Sequence, residues 1–179
     1  MSRAVVTGLP PGPPHAIVLA MAAPDLDLLP ESPDAAALAR GVGRLFASLG
    51  AASLTEVGLA NGRRADVMAI DGAGRVTIVE IKSSLVDFRT DQKWPDYLDY
   101  CESFHFAVSA TFPRDVLPDE VGIIIADRFG GMVLRPAPLR PMSPARRKAL
   151  TLRFGLVAAE RLRRVIDPEG TQALIEASL

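Results

Sequence analysis

Residues 76–82 read Val-Thr-Ile-Val-Glu-Ile-Lys, a run rich in β-branched residues that ends in two charged side chains. The earlier residues of this run place apolar side chains on both faces, which is typical of a strand inside a sheet. Glu80 and Lys82 are two residues apart, so a strand points both side chains to one face. Buried charges are costly unless they pair or hold a metal ion. The run therefore predicts a central strand that ends at a charged site.

Asp66 is the second carboxylate of this predicted site. Two strand-like runs, 65–71 and 75–82, are joined by a glycine-rich turn that is typical of a hairpin. The hairpin can bring Asp66 beside Glu80 and Lys82, so that two carboxylates and one amine share a small volume. This arrangement predicts either a cluster of ion pairs or a site for a divalent metal.

The sequence outside the hairpin predicts an α/β domain with the order α-β-β-β-α-β-β. Ser32-Pro33 is a helix-start signal, and leucines and a valine then recur at helical spacing as far as Gly50. The predicted strands are 53–59, 65–71, 75–82, 104–109 and 121–127. A second helix is predicted to start near Asp91 to Trp94, because proline is tolerated only in a first turn, and to run to about Ser103. A short strand then ends near Arg135, and a basic helical region at 143–166 is ended by Asp167-Pro168. A short C-terminal helix follows the break.

Length and composition exclude several classes of protein. The chain has 179 residues, enough for one domain, and we assign that domain to residues 34–179. Residues 1–33 contain seven of the 15 prolines and are predicted to form a mobile tail. A single cysteine excludes an internal disulfide, and two distant histidines exclude a His/Cys zinc site. No apolar run approaches the roughly 20 residues of a membrane-spanning helix, so we expect a cytoplasmic protein with no membrane partner.

Positive charge is concentrated near the end of the chain. Between Arg135 and Arg164 there are nine basic residues and one acid, although the net charge of the whole chain is -1. A local basic face can bind phosphates even when the total charge is near zero. The stretch therefore indicates either a surface that binds a polyanion or a solvated helix face.

The sequence has a pattern in which Asp66 is followed, after thirteen residues, by Glu80-Ile81-Lys82. This pattern resembles the signature of the PD-(D/E)-x-K nuclease superfamily. That resemblance implies a restriction endonuclease-like fold, with an αβββαβ core and a mixed sheet. A longer string, over about residues 34–136, resembles the MmcB family of bacterial DNA repair proteins. The string comprises Gly62-Arg-Arg-Ala-Asp-Val-Met-Ala-Ile70, Ile78-Val-Glu-Ile-Lys-Ser-Ser84, Asp87-Phe-Arg-Thr-Asp91 and Lys93-Trp-Pro-Asp-Tyr97.

The metal interpretation assigns a role to each residue of the signature. Asp66, Glu80 and the backbone carbonyl of Ile81 offer oxygen ligands to Mg²⁺ or Mn²⁺, and water and a phosphate oxygen complete the set. The Lys82 amine can orient the attacking water or stabilise charge on the phosphate. The resemblance implies that Asp66 and Glu80 are the ligands and Lys82 is the catalytic lysine.

Two positions depart from the pattern of these nucleases. Many members carry a Gln-x-x-x-Tyr pair on the helix after the signature. Lys93 with Tyr97 resembles that pair, with lysine in place of glutamine. Lys93 is therefore a further candidate catalytic residue. Many members also carry a glutamate on the first helix. Here that helix has only Asp34 at its start, and Glu56 on the first strand is the nearest substitute.

Three functions follow from these observations. The first is a DNA repair protein that hydrolyses DNA phosphodiesters as a Mg²⁺-dependent nuclease. The alternative is a non-catalytic accessory that binds DNA with the same fold, and the third is an interaction scaffold whose charged cluster is only a salt bridge. DNA is the expected partner in the first two, together with other bacterial DNA repair proteins.

Overall fold

The structure is a computed structural model that describes residues 34–170. Its elements are α1 (Ala35–Ser48), β1 (Ala52–Gly58), β2 (Arg64–Ile70), β3 (Val76–Lys82), α2 (Leu85–Thr90), a 3-10 helix (Trp94–Tyr100), β4 (Ser103–Val108), a 3-10 turn (Arg114–Val116), β5 (Gly122–Ala126), β6 (Gly131–Arg135) and α3 (Pro144–Ile166). The predicted tail at 1–33 and the chain beyond residue 170, with most of the predicted C-terminal helix, lie outside the described residues. None of the helices described between residues 34 and 170 is long and apolar enough to cross a membrane.

The six strands form one sheet in which spatial order equals chain order, β1 to β6. The pairs β1–β2, β2–β3 and β5–β6 are antiparallel, whereas β3–β4 and β4–β5 are parallel. The predicted mixed sheet and α/β fold class are therefore confirmed. Each predicted strand lies within two residues of an observed one, because hairpin turns and alternating apolar residues fix these boundaries.

Helix α1 covers one face of the sheet. Leu38, Val42 and Phe46 recur at helical spacing and pack on strand residues such as Val79 and Ile124. The predicted start at Ser32-Pro33 is wrong, because the cap is Asp34, whose carboxylate accepts the Ala37 N–H at 2.6 Å. The helix thus begins at Ala35, at the edge of the site described below.

The opposite face of the sheet is covered by α2, the 3-10 helix and α3. Phe104 and Phe106 of β4 point to this side and meet at a 5.2 Å centroid distance. Phe88 of α2 packs edge-on against Phe106, and Tyr97 stacks on Phe104. This aromatic layer anchors the segments that surround the charged end of β3.

The predicted second helix is present as a 3-10 helix that starts at Trp94, within the predicted range, but ends at Tyr100. Pro95 lies in its first turn, as expected. A helix that the sequence did not predict, α2, precedes it and is capped by the Ser84 hydroxyl. Asp91 ends α2 in an extended conformation (φ -114°, ψ 91°) because its carboxylate is taken by Lys82. Helix α2 therefore ends at the residue that pairs with Lys82.

Candidate active site

The charged site lies where β2 and β3 separate. The last backbone pair of the two strands in this direction is Val67 with Val79. At the next position, side chains replace the ladder: the Ile81 N–H donates to the Asp66 carboxylate at 2.8 Å, and the Asp66 N–H donates to Glu80 at 3.4 Å. The predicted hairpin therefore brings the two carboxylates together on one face of the sheet.

Lys82 ends β3 on the same face. Its side chain is only 4% exposed, and Nζ donates to Asp91 Oδ2 at 2.9 Å. This hydrogen bond is the main reason that the pKa of Asp91 is lowered. The carboxylate that holds Lys82 comes from the end of α2 and is partly exposed, so the amine is anchored by a residue that solvent can reach.

A cavity of about 610 Å³ opens over these residues. Asp66, Glu80 and Lys82 form its floor in the sheet, and Asp91 stands on the α2 side. Its lining comprises Ala35, Gly62, Arg64, Asp66, Glu80, Ile81, Lys82, Asp87, Asp91 and Tyr97. The first residue of α1, both strands of the hairpin and the segments after β3 therefore meet at one place.

The two carboxylates at the floor resist being charged together. Burial raises the pKa of Asp66, the Ile81 N–H opposes that rise, and the nearby charge of Glu56 adds to it. Burial and then the charge of Asp66 raise the pKa of Glu80 to about 8. A bound cation would stabilise the charged form of such crowded carboxylates.

Tyr97 closes the inner wall of the cavity. Its hydroxyl donates to the Arg64 carbonyl at 3.1 Å and lies against the Glu80 carboxylate. Burial, followed by the charges of Glu80 and Asp66, raises the pKa of the Tyr97 hydroxyl, which therefore stays protonated. Tyr97 thus combines a packing role on Phe104 with a hydrogen-bond donor beside Glu80.

Glu56 stands on β1 at the level of Asp66, between the paired residues Thr55 and Val57. Its φ of 53° lies in the left-handed region, which non-glycine residues rarely adopt. Its carboxylate forms an ion pair with Arg64. Glu56 is therefore close enough to Asp66 for its charge to raise the pKa of that carboxyl.

Other sequence candidates lie further out. Lys93 is exposed at the start of the 3-10 helix and is not among the residues that line the cavity. Asp34 is occupied as the cap of α1. The sequence predicts Asp91 near the start of a helix and does not predict that it pairs with Lys82. The one sign of this pair in the sequence is that Asp91 follows Lys82 by nine residues.

The donor set suits a hard cation such as Mg²⁺. Asp66 and Glu80 supply carboxylate oxygens, and Ile81, whose backbone carbonyl is the third predicted ligand, also lines the cavity. Across residues 34–170, no group of three or more His, Cys, Asp and Glu side chains is arranged to hold a metal ion. A cation here would therefore need water and substrate oxygens to complete its coordination, as Mg²⁺ sites commonly do.

Comparisons with known proteins agree with this architecture. The model of a family described as MmcB-like, DNA repair protein MmcB-like, matches residues 24–169. A solved structure, the SPO1766 protein of unknown function from Silicibacter pomeroyi, has 42% sequence identity and a TM-score of 0.73. That match covers 81% of this chain and 97% of the Silicibacter chain. No curated protein matches the sequence.

Proposed function

The chain belongs to the MmcB-like family of DNA repair proteins, and from this membership we propose that it is a metal-dependent nuclease that hydrolyses DNA phosphodiesters. The observation that carries the proposal is the convergence of Asp66, Glu80 and Lys82 in one cavity. Metal-dependent hydrolysis of a phosphodiester uses a bound cation, a water and positive charge near the phosphate. The cavity offers residues for each of these needs.

We place the site in the PD-(D/E)-x-K superfamily. The spacing from Asp66 to Glu80-Ile81-Lys82 and the order of α1 and the hairpin strands support this placement. The placement assigns Asp66, Glu80 and the Ile81 carbonyl to Mg²⁺ or Mn²⁺. Lys82 is then the catalytic lysine, and Lys93 is a candidate that contacts substrate from the rim.

The chain's own residues have distinct roles in the proposed reaction. A divalent ion held by Asp66 and Glu80 would lower the pKa of a bound water and neutralise charge on the phosphate. The Lys82 amine stabilises the negative charge that develops on the phosphate oxygens. Asp91 holds that amine in place through the 2.9 Å hydrogen bond, and the Tyr97 hydroxyl lies beside Glu80 in the cavity wall.

A nuclease assay on a panel of labelled DNAs tests the proposal. Single strands, duplexes, flaps and junctions are incubated with Mg²⁺, Mn²⁺ or EDTA. We expect cleavage of at least one substrate with metal and none with EDTA or with Asp66→Ala. A wild-type protein that cleaves none of these DNAs under any metal condition contradicts the proposal.

A second candidate is a non-catalytic DNA-binding accessory that acts with other repair proteins. One observation favours it: the Lys82 amine is already paired with Asp91, and α1 contributes only Ala35 to the cavity lining, with no carboxylate. This candidate predicts salt-sensitive DNA binding without cleavage. The same panel of DNAs, read by binding as well as cleavage, separates the two functions.

A further inference from the structure

Two arginines of α3 extend positive charge away from the cavity along the edge of the sheet. The Arg153 Nε donates to the Gly58 carbonyl at 2.6 Å, and a terminal nitrogen of Arg161 donates to the Glu56 carbonyl at 3.2 Å. β1 is an edge strand, and its Gly58 pairs with Arg64, which lines the cavity. The α3 arginines are therefore one strand away from the cavity wall.

These guanidinium groups retain donors for a further ligand. Arginine has five N–H donors, and the bonds to β1 use one donor of Arg153 and one of Arg161. Neither residue forms a salt bridge within the part of the chain that the structure describes. Arg64 is 70% exposed, and its pair with Glu56 is of the surface kind that contributes little and exchanges readily.

Several other arginines of the basic stretch hold the fold together instead. Arg147 pairs with the buried Glu102, Arg135 pairs with Asp119, and Arg140 donates to a backbone carbonyl of Glu120. Arg135 and Arg147 therefore use two or more of their guanidinium nitrogens in contacts within the protein. By contrast, α3 has two exposed basic residues, Lys148 and Arg163, on another face. Their helical spacing places them on the exposed face that carries Leu152 and Leu156.

The charge around the cavity is unequal. On the α2 side the lining has two carboxylates, Asp87 and Asp91, of which Asp91 already pairs with Lys82. On the β1 side the charge of Arg64 is matched by its ion-pair partner on β1, and Arg153 and Arg161 behind it add two positive charges that no salt bridge in the described residues matches. A DNA backbone whose phosphate lies at Lys82 is therefore attracted toward β1 and α3. Arginine guanidinium groups are well suited to phosphate oxygens because their donors form a planar fork.

We propose that DNA leaves the cavity along β1, and that Arg64, Arg153 and Arg161 bind the phosphates on that side of the scissile bond. We call these three arginines the basic track. The track rests on the proposed function and deepens it, because it gives the direction in which the DNA leaves the cavity. It also divides α3 into a face that binds DNA and a face that does not.

Matched charge removals on the two faces of α3 test the track. One variant is Arg153→Gln with Arg161→Gln, and the control is Lys148→Gln with Arg163→Gln, which removes the same charge from the same helix. Binding of a fluorescein-labelled 30-base-pair duplex is measured by anisotropy in EDTA, over a salt series. We expect the track variant to bind at least about tenfold more weakly and to lose about 1.8 from its salt slope, which corresponds to two phosphates. The control variant should keep most of the wild-type affinity for DNA and most of the wild-type salt slope.

Since Arg153 and Arg161 also hold α3 on β1, Arg64→Gln provides a second variant that leaves those contacts intact. It should weaken binding of the same duplex by several-fold. The track is overturned if the track and control variants lose equal affinity for the duplex and Arg64→Gln binds it like the wild type. The nuclease proposal is not affected by that result, because the cleavage assay tests it separately. A wild type that binds and cleaves no DNA overturns both.

Discussion

Asp66 and Glu80 occupy the first positions beyond the last backbone pair of β2 and β3, and each side chain accepts an N–H from the other strand. The carboxylates are thus fixed by the backbone that carries them. Their raised pKa values show that they share limited solvation in this position. A bound cation would relieve that crowding.

Divalent metal should stabilise the native protein. A ligand at 100 times its Kd stabilises a native protein by about 2.7 kcal/mol. We expect millimolar Mn²⁺ or Mg²⁺ to raise the melting temperature of the wild type, and Asp66→Ala to lose most of that rise. Asp99→Ala, at an exposed acid of the 3-10 helix, is the matched control and should respond like the wild type. Equal shifts in Asp66→Ala and the wild type remove the metal from this site.

Lys82→Met should abolish cleavage while leaving DNA binding within a few-fold of the wild type. The substitution keeps the aliphatic stem but removes the charge, and loss of such a contact commonly costs on the order of 10² or more in rate. Asp91 is partly exposed, so water can solvate it after the lysine is gone. The comparison is Lys93→Met, an exposed lysine at the rim, for which we expect a smaller loss of rate.

A sharp fall in the melting temperature of Lys82→Met, with cleavage preserved in the folded fraction, would assign Lys82 to stability alone. Thermal melting and single-turnover cleavage of the same preparation separate the two roles. This outcome is the one expected if the cluster is only a buried ion pair.

His105 should make stability depend on pH below neutrality. Burial lowers its pKa from 6.5 to about 4, and its Nδ1 has no hydrogen-bond partner within residues 34–170. The native state holds the neutral imidazole, so the unfolded state binds more protons between these values. The contribution is complete above pH 6.5 and is lost as the pH falls toward 4, by an amount on the order of 3 kcal/mol.

Urea unfolding of the wild type and His105→Leu between pH 7 and 4 measures this effect. The wild type should lose more free energy of unfolding than the variant across that interval, and His105→Gln checks that the result does not depend on the shape of leucine. Parallel curves for all three proteins would show that His105 is not the group that titrates.

Gly41 should be intolerant of any side chain. A Cβ there would lie 1.9 Å from the carbonyl oxygen of Asp127 and 2.4 Å from that of Gly130, both of which are backbone atoms. We expect Gly41→Ala to destabilise the protein by more than about 3 kcal/mol, since neither atom can yield cheaply. Gly43, on the same helix, meets only the Ser53 hydroxyl at 3.6 Å, so Gly43→Ala should instead stabilise by up to about 1 kcal/mol. Denaturant unfolding of both variants gives the comparison.

Most of the sheet and the floor of the site could be predicted from sequence because their signals are local. The run at 76–82 has the alternation of a strand, its neighbour is joined by a short turn, and pairing then dictates that Asp66 meets Glu80. Helix α3 was also predictable, since Ser143-Pro144 begins it and Asp167-Pro168 ends it. These features depend on residues close in the chain.

Contacts between distant segments were not predictable. Helix α2 was not predicted, and it ends where Lys82 reaches Asp91. Helix α1 is capped by Asp34 and not at the expected Ser32-Pro33. Similarly, the sequence shows nine basic residues in one stretch, but only the packed structure shows that Arg147 is committed to Glu102. Propensity ranks such alternatives poorly because tertiary contacts decide between them.

The agreement between strand order and chain order bears on how the protein is synthesised. Each new strand can join the one made just before it, so the sheet can grow as the ribosome releases the chain, with β6 added last. Helix α1 emerges before any strand, yet it contacts all six of them. The helix that precedes the sheet must therefore wait for the final strand before its buried face is complete, although every residue that lines the candidate active site has already been translated.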